Sequence, residues 1–377
     1  MRTVLKGMRA VFDGYTLRSG LDVAVEFGKV VEIGENLKGD EYVILEGKVL
    51  YPTLVDAHTH LIYAGDRVFE LKMRLTGASY LDILKEGGGI RSTVRATVEA
   101  SDEELISSTL KRIEELKRRG VGAVEIKTGY GISYEQEIRL LKLIHEVSIK
   151  TDVIVVPTLL FHVPPEDGDV KGYLKEFFER YEEYAHLIKF VDVFADEGAF
   201  GPEETEMILS FYKSKGVPCR LHADEFKPFA SRLAAKYGCV SADHLIHTTE
   251  ENVKALAEAG VMATLCPVTG FFLREGFAPY DLLKEYGVRV ALSSDHNPGT
   301  APFLNPFITV LLAVFGYGMT PEEAFAAHTS AAADSLLLNK VGRIEPGSRA
   351  LMFAMDYTPD ELVYRGKVDA VVDFVEL

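Results

Sequence analysis

Val55-Asp56-Ala57-His58-Thr59-His60 closes a short apolar run that begins at Tyr51. In a β-strand, residues two apart point to the same face, so His58 and His60 can offer both imidazoles to one point in space. Paired imidazoles suit a divalent first-row metal such as zinc or iron. Two surface histidines beside a turn would give the same local pattern, so only matching ligands farther along the chain distinguish a metal site.

Further apolar, β-branched runs follow this segment and are separated by helical patterns. The predicted strands are Pro52–His60, Ala123–Thr128, Val153–Leu160, Phe190–Ala195, Pro218–Ala223, Ser241–Ile246, Val261–Cys266 and Arg289–Ser293. Near-continuous apolar strands that alternate with helices are typical of a parallel sheet buried on both faces. Eight such units over about 250 residues predict an α/β fold, a (β/α)8 TIM barrel.

The two chain ends have a different pattern from the barrel. Residues 1–50 alternate and turn often, as at Asp13-Gly14, and the C-terminal end does the same around Glu345-Pro346-Gly347-Ser348. Such segments predict short antiparallel strands. We therefore expect a small β-sandwich-like domain built from both ends, residues 1–50 and 336–377, beside a catalytic barrel at residues 51–335.

Composition narrows the possible partners. With 377 residues, of which 47% are hydrophobic, the chain is long enough for one large domain and a smaller one. A net charge of −16 argues against nucleic acid or an anionic membrane as partner. No apolar run approaches the roughly 18 residues that a membrane-spanning helix needs. Three cysteines without paired spacing predict a reducing, cytoplasmic location.

Later strands place possible metal donors at the same rim as the first pair. The predicted fifth strand ends near His222, the sixth carries His244, and Asp295 follows the eighth. The carboxyl ends of barrel strands meet at one face, where barrel active sites are built. A lone histidine there is more often structural, but chance alignment of all these donors on one rim is improbable. The pattern therefore favours a metal centre.

This pattern resembles the amidohydrolase superfamily, and its local motifs resemble the imidazolonepropionase family within it. The matching segments are Asp56–His60, Phe69–Tyr80, Glu86–Ile90, Glu125–Gly131, His222–Glu225, Ala242–Leu245 and Ser294–Thr300. The resemblance runs from about residue 50 to residue 335.

The resemblance implies a mononuclear metal site. Its ligands would be His58, His60, His222 and Asp295, and the metal would be one zinc or iron ion per chain. Three imidazoles and a carboxylate leave room for a water whose pKa the metal lowers toward neutrality. The superfamily's bridging lysine comes from strand four, and Phe190–Ala195 has no lysine. We therefore expect one metal, with a structural or supporting role for Lys127.

The resemblance also implies the reaction, hydrolysis of the cyclic amide 4-imidazolone-5-propanoate to N-formimidoyl-L-glutamate in histidine degradation. The substrate-binding positions that it implies are Arg67, Tyr80, Tyr130, His162, Glu225, Asn297, Gly299 and Thr300. A guanidinium fork is the natural partner of a carboxylate, so Arg67 is expected on the propionate of this small anionic substrate, together with Tyr80. Without the neighbouring motif, Arg67 would be taken as a solvated surface arginine.

Catalysis would begin with attack of a metal-activated water on the ring carbonyl. His244 would help to stabilise the developing charge, and Glu225 would orient the ring. Which of Asp295, His244 and Glu225 is the general base depends on geometry that a sequence does not give. His296 adds an imidazole next to Asp295, and alternation along an extended chain predicts that it points away from the metal.

Two other functions compete with this hypothesis. An aminohydrolase, or deaminase, acting on a nucleobase-like ring would use nearly the same ligands, but a carboxylate-binding trio of Arg67, Tyr80 and Tyr130 has no obvious task on a neutral base. A barrel that serves only as an assembly scaffold would normally have lost metal ligands, and all four remain. A homodimer is common in the superfamily, and the sequence leaves the oligomeric state open.

Overall fold

The structure is a computed structural model that describes residues 1–77, 83, 86–165 and 167–375. Its strands, numbered in chain order, are β1 Arg2–Lys6, β2 Ala10–Phe12, β3 Leu17–Arg18, β4 Asp22–Glu26, β5 Lys29–Gly34, β6 Glu41–Ile44, β7 Val49–Pro52, β8 Leu54–Asp56, β9 Val121–Lys127, β10 Ile154–Phe161, β11 Phe190–Ala195, β12 Arg220–Ala223, β13 Ser241–His244, β14 Met262–Leu265, β15 Val290–Leu292, β16 Met352–Met355 and β17 Asp373–Phe374.

Helices follow most of the barrel strands. The α-helices span Val68–Leu75, Ile90–Glu99, Asp102–Lys117, Tyr134–Lys150, Val170–Glu179, Tyr181–Tyr184, Pro202–Ser214, Ala230–Tyr237, Glu250–Ala259, Pro267–Leu273, Tyr280–Glu285, Pro306–Tyr317, Pro321–Ala327, Ser330–Ser335 and Pro359–Tyr364, and a 3₁₀ helix spans Ala185–Leu187. Within the part of the chain that the structure describes, no helix is both long and apolar enough to cross a membrane.

The eight strands β8 to β15 form one parallel sheet in sequence order. The helices flank this sheet, and the predicted (β/α)8 barrel is confirmed. Register places His222 of β12 beside Asp243 of β13, and Ala223 beside His244. The carboxyl ends of these strands therefore bring their polar side chains to one rim.

The barrel closes between β15 and β8 without a regular strand ladder among the described residues. The backbone N–H of His60 donates to the carbonyl of His296 over 2.9 Å. The buried Asp56 carboxylate accepts from the Ser294 backbone at 2.9 Å and the Ser294 hydroxyl at 2.6 Å, and also from the Ser293 hydroxyl. We refer to this junction, held by Asp56, His60, Ser293, Ser294 and His296, as the seam.

The predicted strand Pro52–His60 is wrong in extent. Val49–Pro52 belongs to a different sheet from Leu54–Asp56, and the chain passes between the sheets at Thr53, whose hydroxyl donates to the Gly120 carbonyl over 3.0 Å. Because β8 ends at Asp56, His58 and His60 lie just beyond the strand rather than within it.

Two smaller sheets lie at the chain ends, the first built from N-terminal strands alone and the second from strands of both ends. One has the order β5-β4-β1-β6 and the other β17-β16-β7-β2-β3, and a shared apolar core that includes Leu5, Val23, Leu50 and Met352 lies between them. The antiparallel prediction is correct for β1 with β4 but wrong for β1 with β6 and β2 with β7, which pair in parallel. The domain boundaries at residues 50 and 335 stay a prediction.

Candidate metal centre

Four predicted ligand atoms converge at the rim of the barrel. His58 Nε2 lies 3.1 Å from His222 Nε2 and 3.5 Å from Asp295 Oδ1, and His60 Nε2 lies 3.3 Å from the same Asp295 oxygen. All four side chains are at most 4% exposed. The structure thus brings together the four residues that the sequence proposed as ligands, although they are spread over more than half of the chain.

The protonation of two histidines follows from their other ring nitrogens. His58 Nδ1 lies 2.7 Å from Asp243 Oδ2, and His222 Nδ1 lies 3.0 Å from Asp192 Oδ2. Because a carboxylate accepts a proton donor, the hydrogen bond to Asp243 puts the hydrogen of His58 on Nδ1 and leaves a lone pair on its Nε2; the close approach of Asp192 to His222 Nδ1, which lacks hydrogen-bond geometry, favours the same tautomer there. Two lone pairs 3.1 Å apart repel each other unless a cation lies between them. This donor set therefore fits a divalent metal such as zinc or iron.

Burial keeps the ligands in the protonation states that metal binding requires. Desolvation holds the pKa of His58 well below its ordinary 6.5 and also lowers the pKa of His60, so both rings are neutral near pH 7. Burial alone would raise the pKa of Asp295. The hydrogen bond with His60 and the nearby His244 outweigh burial and lower this pKa below its ordinary value, so the carboxylate is ionised. Neutral imidazoles and an ionised carboxylate are the forms that bind a metal.

The rim contains backbone strain. His244 has φ of 73° and Asp295 has φ of 53°, both in the left-handed region that non-glycine residues seldom adopt. Asp295 is held there by hydrogen bonds from the Thr269 hydroxyl and the Asn297 amide. Such strain persists where the surroundings determine the conformation, and it is concentrated at functional sites.

His244 and Glu225 lie together beside the ligands. His244 Nε2 is 3.8 Å from Glu225 Oε2, and neither ring nitrogen of His244 has a hydrogen-bond partner among the described residues. Burial, with a smaller contribution from the charge of Asp295, raises the pKa of Glu225 to about 8. Glu225 therefore carries a proton at neutral pH in the metal-free protein.

Two predicted substrate contacts form an aromatic wall next to His60. The His162 ring stacks on His60 with centroids 5.2 Å apart, and Tyr130 lies 5.5 Å from His162. Burial raises the pKa of the Tyr130 hydroxyl, so this residue is a neutral hydrogen-bonding group in the pocket.

The predicted carboxylate anchor is already paired along one edge. Arg67 donates from Nε to Glu70 Oε1 over 2.7 Å and from Nη2 to Glu70 Oε2 over 2.8 Å. Its Nη1 faces Gly299, where an added Cβ would lie 2.6 Å from Arg67 Cζ. Only a glycine at position 299 therefore leaves room for the Arg67 guanidinium in this place, and Nη1 is the nitrogen of Arg67 that Glu70 does not bind.

The loop that carries Gly299 is tied together by Asn297. Its amide oxygen accepts from the backbone of Gly299 at 2.9 Å and from the backbone of Thr300 at 2.7 Å. Gly299 thus lies against Arg67, and Asn297 and Thr300 belong to the same hydrogen-bonded loop. Tyr80, the other predicted contact of the propionate, lies outside the described residues.

Comparison with known proteins identifies the family. A profile of the Amidohydrolase family matches residues 49–375. The chain is 40% identical over 351 residues to the imidazolonepropionase of Anaeromyxobacter sp. (strain K), covering 89% of this chain and 83% of that protein. It is also 40% identical over 343 residues to the imidazolonepropionase of Acinetobacter baumannii (strain AB307-0294), covering 88% and 86%. The chain belongs to the imidazolonepropionase family of amidohydrolases.

Solved structures of other proteins have the same fold as this amidohydrolase. An adenosine deaminase from Xanthomonas campestris with bound zinc superposes with a TM-score of 0.72 at 17% identity, covering 96% of this chain and 88% of that one. At such low identity the likeness shows the fold alone. Members of the amidohydrolase superfamily bind a divalent metal, and the convergent histidines give this imidazolonepropionase relative a matching site.

Sequence reasoning missed several residues of the site in this imidazolonepropionase relative. Glu70 lies inside the matching segment Phe69–Tyr80, but in the sequence it resembles an ordinary carboxylate on the surface of a helix. The missed charged residues in apolar strands are Asp192, Arg220 and Asp243. Because a strand buried on both faces seldom contains a charged residue, each of these charges could have indicated a functional position. Lys127, for which a structural or supporting role was expected, is fully buried. His296 is also buried, and its Nε2 lies 3.1 Å from the Tyr63 hydroxyl rather than at the ligand cluster.

Proposed function

We propose that the chain hydrolyses 4-imidazolone-5-propanoate to N-formimidoyl-L-glutamate, with one zinc or iron ion held by His58, His60, His222 and Asp295. The observation that carries this proposal is the 40% identity to proteins named imidazolonepropionase, over 83% or more of their length. The convergence of three imidazoles and a carboxylate at the barrel rim supports it independently.

A metal in this site supplies Lewis-acid activation of a water and lowers the pKa of that water toward neutrality. The chain's own contribution is orientation. Asp243 and Asp192 fix the rings of His58 and His222, and Thr269 and Asn297 hold one oxygen of Asp295. A site held in place before the reaction needs little reorganisation during it.

His244 is the general base that we favour for the water proton. Both oxygens of Asp295 already have partners, since Oδ1 faces His58 and His60 and Oδ2 accepts from Thr269 and Asn297. His244 has both ring nitrogens free of hydrogen bonds to described residues. Glu225, whose Oε2 lies 3.8 Å from His244 Nε2 and whose pKa burial raises to about 8 in the metal-free protein, would give a proton to the departing ring nitrogen.

The substrate's propionate would bind on the Nη1 side of Arg67. Glu70 occupies the Nε and Nη2 edge, which leaves Nη1 as the remaining donor, and the absence of a side chain at Gly299 leaves room for the guanidinium itself. Tyr130, His162, Asn297 and Thr300 would line the remainder of the ring pocket, and Tyr80 completes the proposed contacts. A charge-assisted pair here counters the repulsion between an anionic substrate and a chain of net charge −16.

The aminohydrolase alternative is not favoured. The likeness to an adenosine deaminase rests on 17% identity and concerns the fold, whereas the relatives at 40% identity are named imidazolonepropionase. A neutral nucleobase would also offer no carboxylate to the Arg67 guanidinium.

The test is a direct assay with two substrates. The protein, loaded with one equivalent of zinc or iron, is incubated with 4-imidazolone-5-propanoate, and N-formimidoyl-L-glutamate is followed by NMR. A parallel reaction with adenine, guanine and cytosine is assayed for ammonia. Formation of the ring-opened product without ammonia from the bases is expected. Ammonia release without ring opening would replace the proposal with a deaminase.

Three further properties are part of the proposal. The chain is proposed to act in the cytoplasm as a homodimer without a nucleic-acid partner, in line with its acidic charge and three free, buried cysteines. The small sheets are proposed to form one domain from residues 1–50 and 336–377 beside the barrel at 51–335. Light scattering of the purified protein at working concentration tests the dimer.

A further inference from the structure

Five charged side chains lie inside the barrel, directly next to the proposed metal ligands. They are Glu125, Lys127, Asp192, Arg220 and Asp243, and each is 0% exposed. They come from four strands of the barrel sheet, β9 and, beyond β10, the three neighbours β11, β12 and β13. We refer to these residues as the ion cluster. Several buried charges in one place are costly to desolvate, so their presence calls for a physical reason.

The charges are paired at short range. Lys127 Nζ lies 2.6 Å from Asp192 Oδ2 and 2.7 Å from Glu125 Oε2. Arg220 Nη2 lies 3.1 Å from Asp243 Oδ2, and its Nε lies 3.4 Å from Glu125 Oε1. Arg220 also donates to the carbonyls of Ala57 and Ser335. Two cations and three carboxylates thus neutralise much of one another's charge, although Glu125 Oε2 and Arg220 Nε lie in these charge contacts without hydrogen-bond geometry.

The ion cluster contacts the ligands through single oxygen atoms. Asp192 Oδ2, which contacts Lys127, is also the atom 3.0 Å from His222 Nδ1. Asp243 Oδ2, which contacts Arg220, is also the atom 2.7 Å from His58 Nδ1. Each cation is therefore one oxygen away from a ligand ring. Ion pairs that served only the fold would not need to share these particular atoms.

We propose that Lys127 and Arg220 are positioning residues for the metal site. Lys127 fixes the Asp192 carboxylate and Arg220 fixes the Asp243 carboxylate, and those carboxylates hold His222 and His58 in the tautomer whose Nε2 is free to bind a metal. The ion cluster is thus the support of the metal centre, in addition to filling the barrel. The inference rests on the proposed ligand roles of His58 and His222.

Removal of a carboxylate charge should loosen the metal before it changes the fold. In Asp243→Asn and Asp192→Asn, the amide can donate to the ring and stabilise the opposite tautomer, in which Nε2 carries a proton. Lys127→Met keeps the length of the side chain and removes its charge. Partners of metal-ligating histidines typically contribute about 10- to 100-fold to metal affinity, so each variant should bind zinc about 10- to 100-fold more weakly.

The experiment measures zinc affinity of the full-length, metal-free protein by competition with a chromophoric chelator. In the same samples, ¹⁵N chemical shifts of the histidine rings report the tautomers of His58 and His222. The matched control is Asp334→Asn, which removes a carboxylate paired with Arg289 and Arg343 outside the ion cluster. Its zinc affinity and tautomers should equal those of the wild type even if its melting temperature falls.

Unchanged zinc affinity and tautomers in folded Asp243→Asn and Asp192→Asn would overturn the inference. If Lys127→Met does not fold, Arg220→Lys replaces it, since it keeps the charge and loses the two-pronged geometry. Failure of the proposed reaction looks different, because normal zinc binding by the wild type without ring opening would leave the positioning role intact.

Discussion

Two buried glutamates, Glu70 beside Arg67 and Glu225 beside His244, show how differently two sides of the proposed site are built. Glu70 accepts from Arg67, Arg74 and the backbone of Gly89. Burial opposes its ionisation, but these partners outweigh burial and lower its pKa. Among the described residues, the nearest charge partner of Glu225 is His244, whose Nε2 lies 3.8 Å from Glu225 Oε2, and burial raises the pKa of Glu225 to about 8. The same side chain is thus a fixed charge on one side and titrates near neutrality on the other.

This difference in pKa between Glu70 and Glu225 matches the function proposed for each side of the site. Recognition of a substrate carboxylate needs a guanidinium held in one place at every pH, and the Glu70 pair provides that. Proton transfer during ring opening needs a group whose pKa lies close to the working pH. The pocket therefore combines a recognition side, centred on Arg67 and Glu70, with a reaction side, centred on the ligands, His244 and Glu225.

Loss of a proposed ligand should abolish the reaction side and leave the recognition side intact. In His58→Ala or His222→Ala, one donor to the metal is removed, and metal activation supplies several kcal/mol of transition-state stabilisation. We expect kcat/KM to fall roughly 1000-fold or more, and metal content, measured by mass spectrometry, to fall from about one equivalent toward zero. Two tightly held equivalents in the wild type, or full retention in both variants, would defeat the mononuclear site.

Replacement of the two glutamates should have opposite effects on stability. Below pH 4.5, Glu225 is protonated in both native and unfolded chains, and between pH 4.5 and about 8 only the unfolded chain ionises it, so stability falls across this window. In metal-free protein at pH 9, Glu225→Gln should exceed the wild type in free energy of unfolding by at most about 5 kcal/mol, with little difference at pH 4.5.

Glu70→Gln is the counterpart for that measurement. The lowered pKa of Glu70 contributes stability that is present above its unfolded pKa and lost in acid. Glu70→Gln should therefore be less stable than the wild type at neutral pH. Denaturant unfolding at several pH values measures both variants. If Glu225→Gln raised the free energy of unfolding by the same amount at every pH, Glu225 would not titrate differently from Glu70, and the proposed contrast between these two glutamates would be wrong.

Arg67→Ala should damage recognition without affecting the metal. The lost charge-assisted contact typically costs roughly 2–4 kcal/mol, or about 30- to 1000-fold in kcat/KM, with much of the loss in KM. Arg67→Lys keeps the charge but should still be impaired. Steady-state kinetics are compared between the natural substrate and a ring analogue that lacks the propionate. Equal damage toward both substrates would contradict the anchor role.

Gly299→Ala should give a smaller defect of the same kind. The added Cβ would overlap the Arg67 guanidinium, and overpacking costs typically about 1–3 kcal/mol, so KM should rise roughly 5- to 100-fold. Gly34→Ala is the control, since its Cβ would meet only Leu37 Cδ2 at 3.4 Å. An unchanged KM in Gly299→Ala would place the carboxylate elsewhere.

The barrel was predictable because its strands are apolar and β-branched, and each predicted strand overlaps an observed one. The exception in extent is Pro52–His60, where the apolar run continues while the chain passes from one sheet to another at Thr53. Hydrophobicity reports burial on either side of that point equally well. Likewise, alternation at the chain ends indicated strands but gave no information on which pairs would be parallel.

The ligand residues were predictable because histidine and aspartate at strand ends have few other uses in such a pattern. Their supports were not, since a carboxylate such as Asp243 acquires its role only from Arg220 and His58, which are distant in sequence. The pairing of Arg67 with Glu70 was also missed. A three-residue spacing on a helix usually indicates a solvated pair, and here the Glu70 side chain is only 2% exposed.

The seam gives the metal site a mechanical meaning. His58 and His60 lie on one side of this junction and Asp295 on the other, so a metal bound to all three would act as a cross-link where the backbone ladder is interrupted. The residues joined there, such as Asp56 and Ser293, are 237 positions apart, and cross-links that close long loops restrict the unfolded chain most. Metal binding would then stabilise the closed barrel, and after removal of the metal by a chelator the barrel would open first at the seam.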